Sequence, residues 1–484
     1  MVAHKELTPL DRLVRLAACV ALGIAVRLAG PPADVPLAGW NLFAVFAAVI
    51  AGFLLQPFAM GPLVLFGIVT CLGTRILTTE EALAGYGEPV VWLVVAAFLL
   101  AGAVRDTGLG RRVALQLVAA LGRSTLGLGY AQVAAELVLG PLVPSNTARG
   151  GGILAPISAS ISAALGSEPR TSPERAGAYL ALVGAHANLI TAAMFLTGMA
   201  ANSLLADAAR DVYGIEFGWG TWALGALVPG LVGLALLPLW IRLLAPPTVR
   251  DGRPAQAQAR EELRAMGPWT RAQVVMAVVF ALLILLWSTK GVVLPGMEGP
   301  VHEFGTTEVA LFGVAVLLAA RAQTWGRMTG DPAAWDALLG LGGLLTMADR
   351  LKDLGVVDWF AASVKEQVAG LDVLPTVVLL GLAYFYSMYG FSMLTAHISA
   401  MAAAFLAVCQ VVGAPALLAV PLFAYFSNLC GCTTNYSSGP IIIYFGLGYV
   451  PARAWFRIGF LVSLFHLAIW LTVGLGWWKL LGWW

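Results

Sequence analysis

A short polar and glycine-rich stretch interrupts a long apolar run near residues 125–165, and it constrains the fold more than any other feature of the chain. The stretch reads Pro144-Ser145-Asn146-Thr147-Ala148-Arg149-Gly150-Gly151-Gly152. Non-helical backbone at membrane depth is tolerated only where it is buried in protein or lines a watery cavity. Hydroxyl and amide side chains beside freed backbone N–H groups therefore predict a receptor for a small anion at this break.

The composition places the chain in a membrane. Of its 484 residues, 60% are hydrophobic and only 11% are charged, whereas a soluble protein has roughly 25% charged residues. The composition predicts an all-α polytopic membrane protein. The net charge of +2 gives no sign of a nucleic-acid partner, and the five scattered cysteines predict no disulfide framework.

Further apolar runs have the length of a membrane span. They lie near residues 13–30, 40–56, 59–76, 89–104, 177–200, 221–245, 272–289, 306–320, 335–351, 414–427 and 455–478. A second long run, near residues 373–411, is interrupted at its middle like the first. The pattern predicts about eleven transmembrane helices and two interrupted segments.

The distribution of Lys and Arg predicts the topology. With the N-terminus in the cytoplasm, most of the cationic loops also lie there, as the positive-inside rule requires. This topology is consistent only if each interrupted run enters and leaves on one side, as a re-entrant hairpin. The first hairpin then opens to the cytoplasm and the second opens outward, which predicts an inverted repeat typical of secondary transporters.

The repeat predicts the domain organisation. After each hairpin, an apolar helical run ends in small and polar residues, at 195–203 in the first half and at 427–440 in the second. The predicted units are N-terminal scaffold helices (1–123), the first hairpin with its unwound helix (124–247), a cytoplasmic linker (248–271), a second set of scaffold helices (272–370), and the second hairpin, unwound helix and last helix (371–484).

Four stretches form recognisable motifs: Thr107-Gly108-Leu109-Gly110-Arg111-Arg112, Pro144 to Gly151, Asn188-Leu189-Ile190-Thr191 with Met194-Phe195-Leu196-Thr197, and Ser427-Asn428-Leu429 with Tyr436 and Gly439-Pro440. These motifs resemble the divalent anion:sodium symporter (DASS) family, in the branch of citrate, tartrate and plastid 2-oxoglutarate/malate translocators. The resemblance implies a homodimer, an elevator-type motion of one domain against a scaffold, and a sodium ion beside each hairpin tip. The second hairpin departs from the family's Ser-x-Thr, because it has Met393-Leu394-Thr395 with Ser392 one place early. Asn435 stands where the branch usually has a histidine.

The two tips are the predicted substrate site, because a dicarboxylate needs several hydrogen-bond donors at each end. Donors from the first tip are Ser145, Asn146 and Thr147, and donors from the second are Thr395 and Ser392. The two helices unwind at Thr197, Gly198, Asn202, Asn428, Thr433 and Thr434. These residues are predicted either to close the site around the substrate or to retain a weak cation site. The alternative interpretation is that such hydroxyls only join helices.

Arg149 and His397 occupy matching positions, each two residues after a tip threonine. An intramembrane ionisable side chain is a functional hypothesis by default. A fixed positive charge in each half could take the place of sodium, and an unloaded carrier would then carry uncompensated charge, which predicts obligatory exchange. The alternative is that Arg149 pairs with Glu136 or caps a helix carbonyl, while His397 is a neutral packed histidine.

These features predict a secondary carrier of the inner membrane that exchanges di- or tricarboxylates such as 2-oxoglutarate, malate, succinate, citrate or tartrate. No cofactor and no metal site are predicted. A sodium-coupled symporter, with sodium near Ser145, Asn146 and Gly198, is the alternative. An intramembrane enzyme fits less well, because no nucleophile lies beside a base in the sequence.

Overall fold

The computed structural model describes residues 8–143, 145–293, 298–368 and 372–484, and Pro144 of the first tip therefore lies outside the described residues. Within these ranges the regular secondary structure is helical, apart from one isolated β-bridge between Ser124 and Asp251. The predicted all-α polytopic fold is confirmed.

The first part of the chain forms six helices before the first hairpin. They are α1 (Pro9–Ala29), α2 (Leu37–Leu55), α3 (Met60–Gly73), α4 (Thr79–Leu83), α5 (Pro89–Thr107) and α6 (Leu109–Leu121). The first repeat follows, with α7 (Thr125–Leu139), a π-helical turn (Thr147–Leu154), α8 (Ala155–Ala164), α9 (Gly177–Met194), α10 (Asn202–Tyr213) and α11 (Trp219–Leu244).

The second part of the chain begins with the linker helix α12 (Arg253–Ala265). It continues with α13 (Arg271–Thr289), α14 (Thr306–Ala319), α15 (Trp325–Thr329), α16 (Pro332–Asp353) and α17 (Val356–Val368). The second repeat contains α18 (Val373–Ser387), α19 (Leu394–Val411), α20 (Ala416–Leu429), α21 (Gly439–Gly446), α22 (Ala452–Ile469) and α23 (Leu475–Leu480).

Among the described residues, nine helical segments are long and apolar enough to cross a membrane. They include both arms of the second hairpin, α18 and α19. Each of the predicted spanning runs contains a helix, although α3 and α14 have only 14 residues each.

Each interrupted run folds back on itself. In the first hairpin, α7 ends at Leu139 and the chain becomes helical again only at Thr147. In the second hairpin, α18 passes into a short 3₁₀ turn (Met388–Gly390), and α19 begins at Leu394 after extended backbone at Met393.

The two hairpins enter from opposite ends of the molecule. At the base of the first hairpin, the N–H of Thr125 donates to the carbonyl of Arg250, just after α11. At the base of the second hairpin, Gln410 donates to the carbonyl of Val212, near the end of α10. Because α9 and α10 run from the first base towards the second, these contacts place the bases at opposite ends and fit the predicted inverted arrangement.

The helix after each hairpin is broken, as the sequence predicts. In the first half, α9 stops at Met194 and α10 starts at Asn202. The side chain of Asn202 donates to the carbonyls of Ala192 (2.9 Å) and Phe195 (3.0 Å), which satisfies the exposed end of α9. In the second half, α20 and α21 are separated by residues 430–438.

The linker is more ordered than its charged composition suggests. Its helix α12 packs against α6 and against α8 of the first hairpin. Arg111 pairs with Glu262 at 2.9 Å, and Gln256 donates to the carbonyl of Ala119 at 2.7 Å. The linker and the amphipathic helix α6 therefore lie together beside the first hairpin.

Glycines let the unwound segment of the second half pack closely. A Cβ atom at Gly459 of α22 would lie 2.2 Å from the carbonyl oxygen of Cys432. Trp455, one turn earlier, donates to the carbonyl of Thr434 at 3.2 Å. Helix α22 therefore supports the break between α20 and α21.

We expect Gly459→Ala to lower the free energy of unfolding by about 1–3 kcal/mol, because the added methyl group must displace backbone. Gly476→Ala is the control, because no atom lies within 4 Å of its added Cβ. Alanine favours a helix by up to about 1 kcal/mol over glycine, so the control is expected to be neutral or stabilising. Thermal unfolding of both variants in detergent tests this. Equal melting temperatures would show that the close contact is absent.

Candidate functional site

One cavity of about 860 Å³ lies between the hairpin tips and the first helices of the chain. Both tips line it, with Ser145, Asn146, Thr147 and Ala148 from the first hairpin and Met393, Leu394 and Thr395 from the second. Apolar side chains of α2, α3, α5 and α16 form most of the facing wall, and the cavity is also lined by Arg12, Arg105, Asp331 and Asp336. Four of the predicted substrate residues are therefore brought together: Ser145, Asn146, Thr147 and Thr395.

The first tip is held by its own hydrogen bonds. The Ser145 hydroxyl accepts from the N–H of Ala148 at 3.1 Å, and the carbonyl of Asn146 accepts from the Asn188 side chain at 3.2 Å. Glycines 150 and 151 make room for the neighbours of this tip, because a Cβ at Gly150 would lie 2.6 Å from Nδ2 of Asn188. The first two glycines after the tip thus permit close packing, whereas a Cβ added at Gly152 would meet no atom within 4 Å.

The second tip is tied to the opposite wall. The Ser392 hydroxyl donates to the carbonyl of Phe53 at 3.0 Å and accepts from Nε2 of Gln56 at 3.0 Å. Gln56 ends α2 in the left-handed conformation, with φ 51° and ψ 51°. In this structure Ser392 therefore joins the hairpin to α2, whereas Thr395 lines the cavity.

Arg149 lies behind the first tip and is fully buried. Its Nε donates to Oε2 of Glu136 at 2.7 Å, and its terminal nitrogens donate to the carbonyls of Val143 (2.8 Å) and Gly198 (3.0 Å) and to the hydroxyl of Thr191 (3.2 Å). Arg149 thus makes both contacts of the alternative interpretation, an ion pair and carbonyl caps. The charges of Arg149 and Glu136 cancel, so uncompensated charge on Arg149 gives no argument for exchange.

Glu136 is the centre of this buried network. Besides Arg149, it accepts from Nδ2 of Asn188 at 3.0 Å and from the hydroxyl of Thr191 at 3.1 Å. A buried ion pair is tolerated only when further hydrogen bonds satisfy both partners, as they do here. Asn188 and Thr191, three residues apart on a largely apolar helix, were a signal for this network in the sequence.

His397 occupies the corresponding place in the second hairpin and is also fully buried. Its Nε2 lies 3.0 Å from the carbonyl of Tyr384 and 2.8 Å from the hydroxyl of Ser387. Because a carbonyl only accepts, Nε2 carries a proton. Nδ1 has no partner among the described residues, so the contacts fit a neutral ring with its hydrogen on Nε2.

The two side chains do the same structural work. Arg149 reaches carbonyls that follow α7, the first arm of its hairpin, and His397 reaches one in the last turn of α18. The C-terminal end of a helix carries a partial negative charge. Both residues therefore cover the negative end of a first arm, close to a tip that lines the cavity.

The substrate residues predicted in the unwound segments do not line the cavity, and they make internal hydrogen bonds instead. Thr197 donates to the carbonyl of Pro141 and Thr433 to the carbonyl of Cys430. The carbonyl of Gly198 accepts from Arg149, and the carbonyl of Thr434 accepts from Trp455. Asn428 donates to the Asn202 side chain at 2.8 Å, which joins the two broken helices.

Comparison with known proteins agrees with this architecture. The model of the sodium:sulfate symporter transmembrane region matches residues 10–484. The chain is 41% identical over 474 residues to the provisionally named malate transporter YflS of Bacillus subtilis, covering 98% of this chain and 97% of YflS. It is 38% identical over 472 residues to dicarboxylate transporter 1 of Arabidopsis thaliana chloroplasts, covering 97% of this chain and 83% of that protein.

The fold also resembles a solved transporter structure. The crystal structure of YdaH from Alcanivorax borkumensis matches with a TM-score of 0.53 over 98% of each chain, at 14% identity. This likeness concerns the fold alone. The family match over nearly the whole chain and the names of the relatives show a multi-pass membrane transporter rather than an enzyme. The chain belongs to the sodium:sulfate symporter family, the divalent anion:sodium symporters that its motifs resemble.

Proposed function

We propose that this protein exchanges di- or tricarboxylates across a bacterial inner membrane by an elevator mechanism. The observation that carries the proposal is the pairing of two hairpin tips in one cavity, with the places behind them occupied by Arg149 and His397. The substrate class of succinate, malate, 2-oxoglutarate, citrate and tartrate is supported by the relatives named as malate and dicarboxylate transporters.

The cavity suits a carboxylate because both hairpin tips place donors on it. The two carboxylates of the facing wall already have partners, since Asp331 pairs with Arg105 at 3.4 Å and Asp336 accepts from the N–H of Gly61 at 2.8 Å. Ser145, Asn146, Thr147 and Thr395 all carry groups that can donate to a carboxylate oxygen. Hydrogen bonds to a charged group contribute about 1.5–3 kcal/mol each, about twice those between neutral groups. Opposing tips can contact the two ends of one dicarboxylate.

Exchange without sodium is supported by what lies behind the tips. The carbonyl of Gly198, a predicted ligand of sodium in the symport alternative, accepts from Arg149. In the second half, the carbonyl of Tyr384 similarly accepts from Nε2 of His397. Side chains of the protein thus use oxygen atoms that a cation would need.

The barrier to an empty carrier comes from its donors rather than from net charge. If the tips slide past the apolar wall without substrate, their polar groups lose water and gain no partner. Each uncompensated polar group costs about 1–3 kcal/mol. A bound carboxylate satisfies several of these donors at once, so a loaded carrier crosses more readily in either direction.

The elevator motion, the topology and the assembly belong to the same proposal. The moving unit comprises the hairpins with their broken helices, which Asn202 and Asn428 join, and the scaffold comprises α1–α6 and α13–α17. The positive-inside rule supports a cytoplasmic N-terminus. The cavity is lined by Arg12 and Arg105, which supports a carrier that is open to the cytoplasm. A homodimer rests on the family resemblance.

Sodium-coupled uptake is the second candidate, because the matching family model is named for sodium symport. Ser145 and Asn146 still present oxygen atoms near the first tip. In this alternative, sodium would bind beside these residues without displacing Arg149.

Transport assays in proteoliposomes separate the two candidates. We expect labelled succinate to enter vesicles loaded with unlabelled succinate at equal rates in sodium and in choline buffers. Empty vesicles are expected to accumulate little label, because the empty carrier returns slowly. Uptake that needs sodium and proceeds into empty vesicles would contradict the proposal.

A second prediction concerns the space that Arg149 fills. Arg149→Ala leaves Glu136 buried without its partner, which costs about 3–5 kcal/mol, and exchange is expected to be largely lost. Added guanidinium ion, which can donate to the same oxygen atoms, is expected to restore part of the exchange rate of the variant. The measurement is counterflow of labelled succinate with and without guanidinium.

Arg111→Ala is the matched control for Arg149→Ala, since it removes an arginine from the Arg111–Glu262 pair at the surface. Exposed pairs contribute about 0–1 kcal/mol, so this variant should keep normal exchange and should not respond to guanidinium. Full exchange by Arg149→Ala without any added cation would show that the buried arginine is dispensable.

A further inference from the structure

Ser438 lines the same cavity, although no motif singled it out as a site residue. Only 5% of the residue is exposed, and its hydroxyl has no hydrogen-bond partner among the described residues. A buried hydroxyl without a partner costs about 1–3 kcal/mol, so an unused donor at this position indicates a missing ligand.

Ser438 also precedes the first residue of α21, and it makes no cap for that helix. The first intrahelical bond runs from the N–H of Ile442 to the carbonyl of Ser438 at 3.0 Å. The N–H groups of Gly439 and Ile441 come before it and have no acceptor among the described residues. Open N–H groups and the positive end of a helix dipole attract an anion.

The equivalent helix of the first half lacks these features. At the start of α10, the N–H groups of Asn202, Ser203 and Leu204 already donate to the carbonyls of Met199, Ala200 and Ala201. Its N-cap residue is Ala201, which carries no hydroxyl, although Met199, Ala200 and Ala201 also line the cavity. The cavity thus meets two different helix starts. The N–H groups at the start of α10 already have acceptors, whereas those at the start of α21 are free to bind a ligand.

The open helix start lies directly beside the first hairpin tip. A Cβ atom at Gly439 would lie 2.2 Å from the hydroxyl oxygen of Thr147, so glycine is needed for this approach. The hydroxyls of Thr147 and Ser438 therefore flank the free amides at the start of α21. Thr395 lies on the other tip.

We propose that the start of α21, with Ser438 and Thr147, is the subsite for one carboxylate group of the substrate. The Ser438 hydroxyl and the N–H groups of Gly439 and Ile441 donate to its oxygen atoms. The second carboxylate then lies towards Thr395. This inference rests on the proposed transport of dicarboxylates and assigns the two ends of the substrate to different elements.

Competition by a matched pair of acids tests the assignment. Succinamate has the carbon chain of succinate with one carboxylate replaced by an amide, so it can use only one charged subsite. Counterflow of labelled succinate is inhibited with each unlabelled acid, in the unaltered protein and in Ser438→Ala. We expect the variant to bind succinate about tenfold more weakly. The affinity for succinamate is expected to change little, because this acid can place its amide at α21 and its one carboxylate towards Thr395.

The ratio of the two affinities distinguishes binding from structure. If Ser438 had a purely structural role, the variant would bind both acids more weakly by the same factor. An unchanged affinity for succinate would also overturn the proposed subsite. Ser438→Cys keeps the size of the side chain with a weaker donor, and it is expected to shift the ratio in the same direction if Ser438→Ala does not fold.

Ser158→Ala is the matched control, because Ser158 is equally enclosed and its hydroxyl also lacks a partner among the described residues, but it does not line the cavity. It is expected to leave both affinities unchanged. If the unaltered protein exchanges no succinate at all, the proposed function fails. If it exchanges succinate and Ser438→Ala retains the ratio, only the subsite fails.

Discussion

The structure depends on the capping of helix ends in the middle of a membrane. A hairpin that turns there brings the negative end of one arm close to the positive end of the other, and an anion is attracted only if the negative end is covered. Arg149 and His397 provide that cover by donating to carbonyls of the first arms. In the proposed function, the donors at the tips then bind a substrate without opposition from nearby carbonyls. The exposed polar backbone that membranes normally exclude thereby becomes usable as a binding surface.

The two halves solve this problem with different chemistry. The first half uses a charged side chain and needs Glu136, Asn188 and Thr191 to satisfy it. The second half uses the ring of His397, which has one donor, and the hydroxyl of Ser387 and the carbonyl of Tyr384 are enough to satisfy it. The asymmetry continues at the helices that follow, because α10 begins with satisfied amides and α21 begins with open ones. A pseudo-symmetric scaffold thus surrounds a site whose two ends differ in polarity.

Periodicity and polarity were sufficient to predict the helices, both hairpins and both broken helices, because each depends on local composition. The tip residues that line the cavity were also predicted from their position between apolar arms. Contacts between distant residues were not predictable in this way. Ser392 belongs to a polar tip, yet its hydroxyl bonds to Phe53 and Gln56 of α2, which only the packing of the two parts determines. Glu136 could be paired with Arg149 only as an alternative, because helical geometry before an irregular turn does not fix where a long side chain points.

The position of Glu136 has a consequence for how the protein is made. Glu136 and Arg149 are 13 residues apart in the same hairpin. A ribosome therefore delivers both charges to the insertion machinery within one short segment, long before the second repeat exists. A lone arginine at the centre of a membrane segment opposes insertion by about 2.5–3.5 kcal/mol. Because Glu136 is synthesised in the same segment as Arg149, this pair adds no net charge to the first half. The first half can therefore insert into the bilayer before the second half is made.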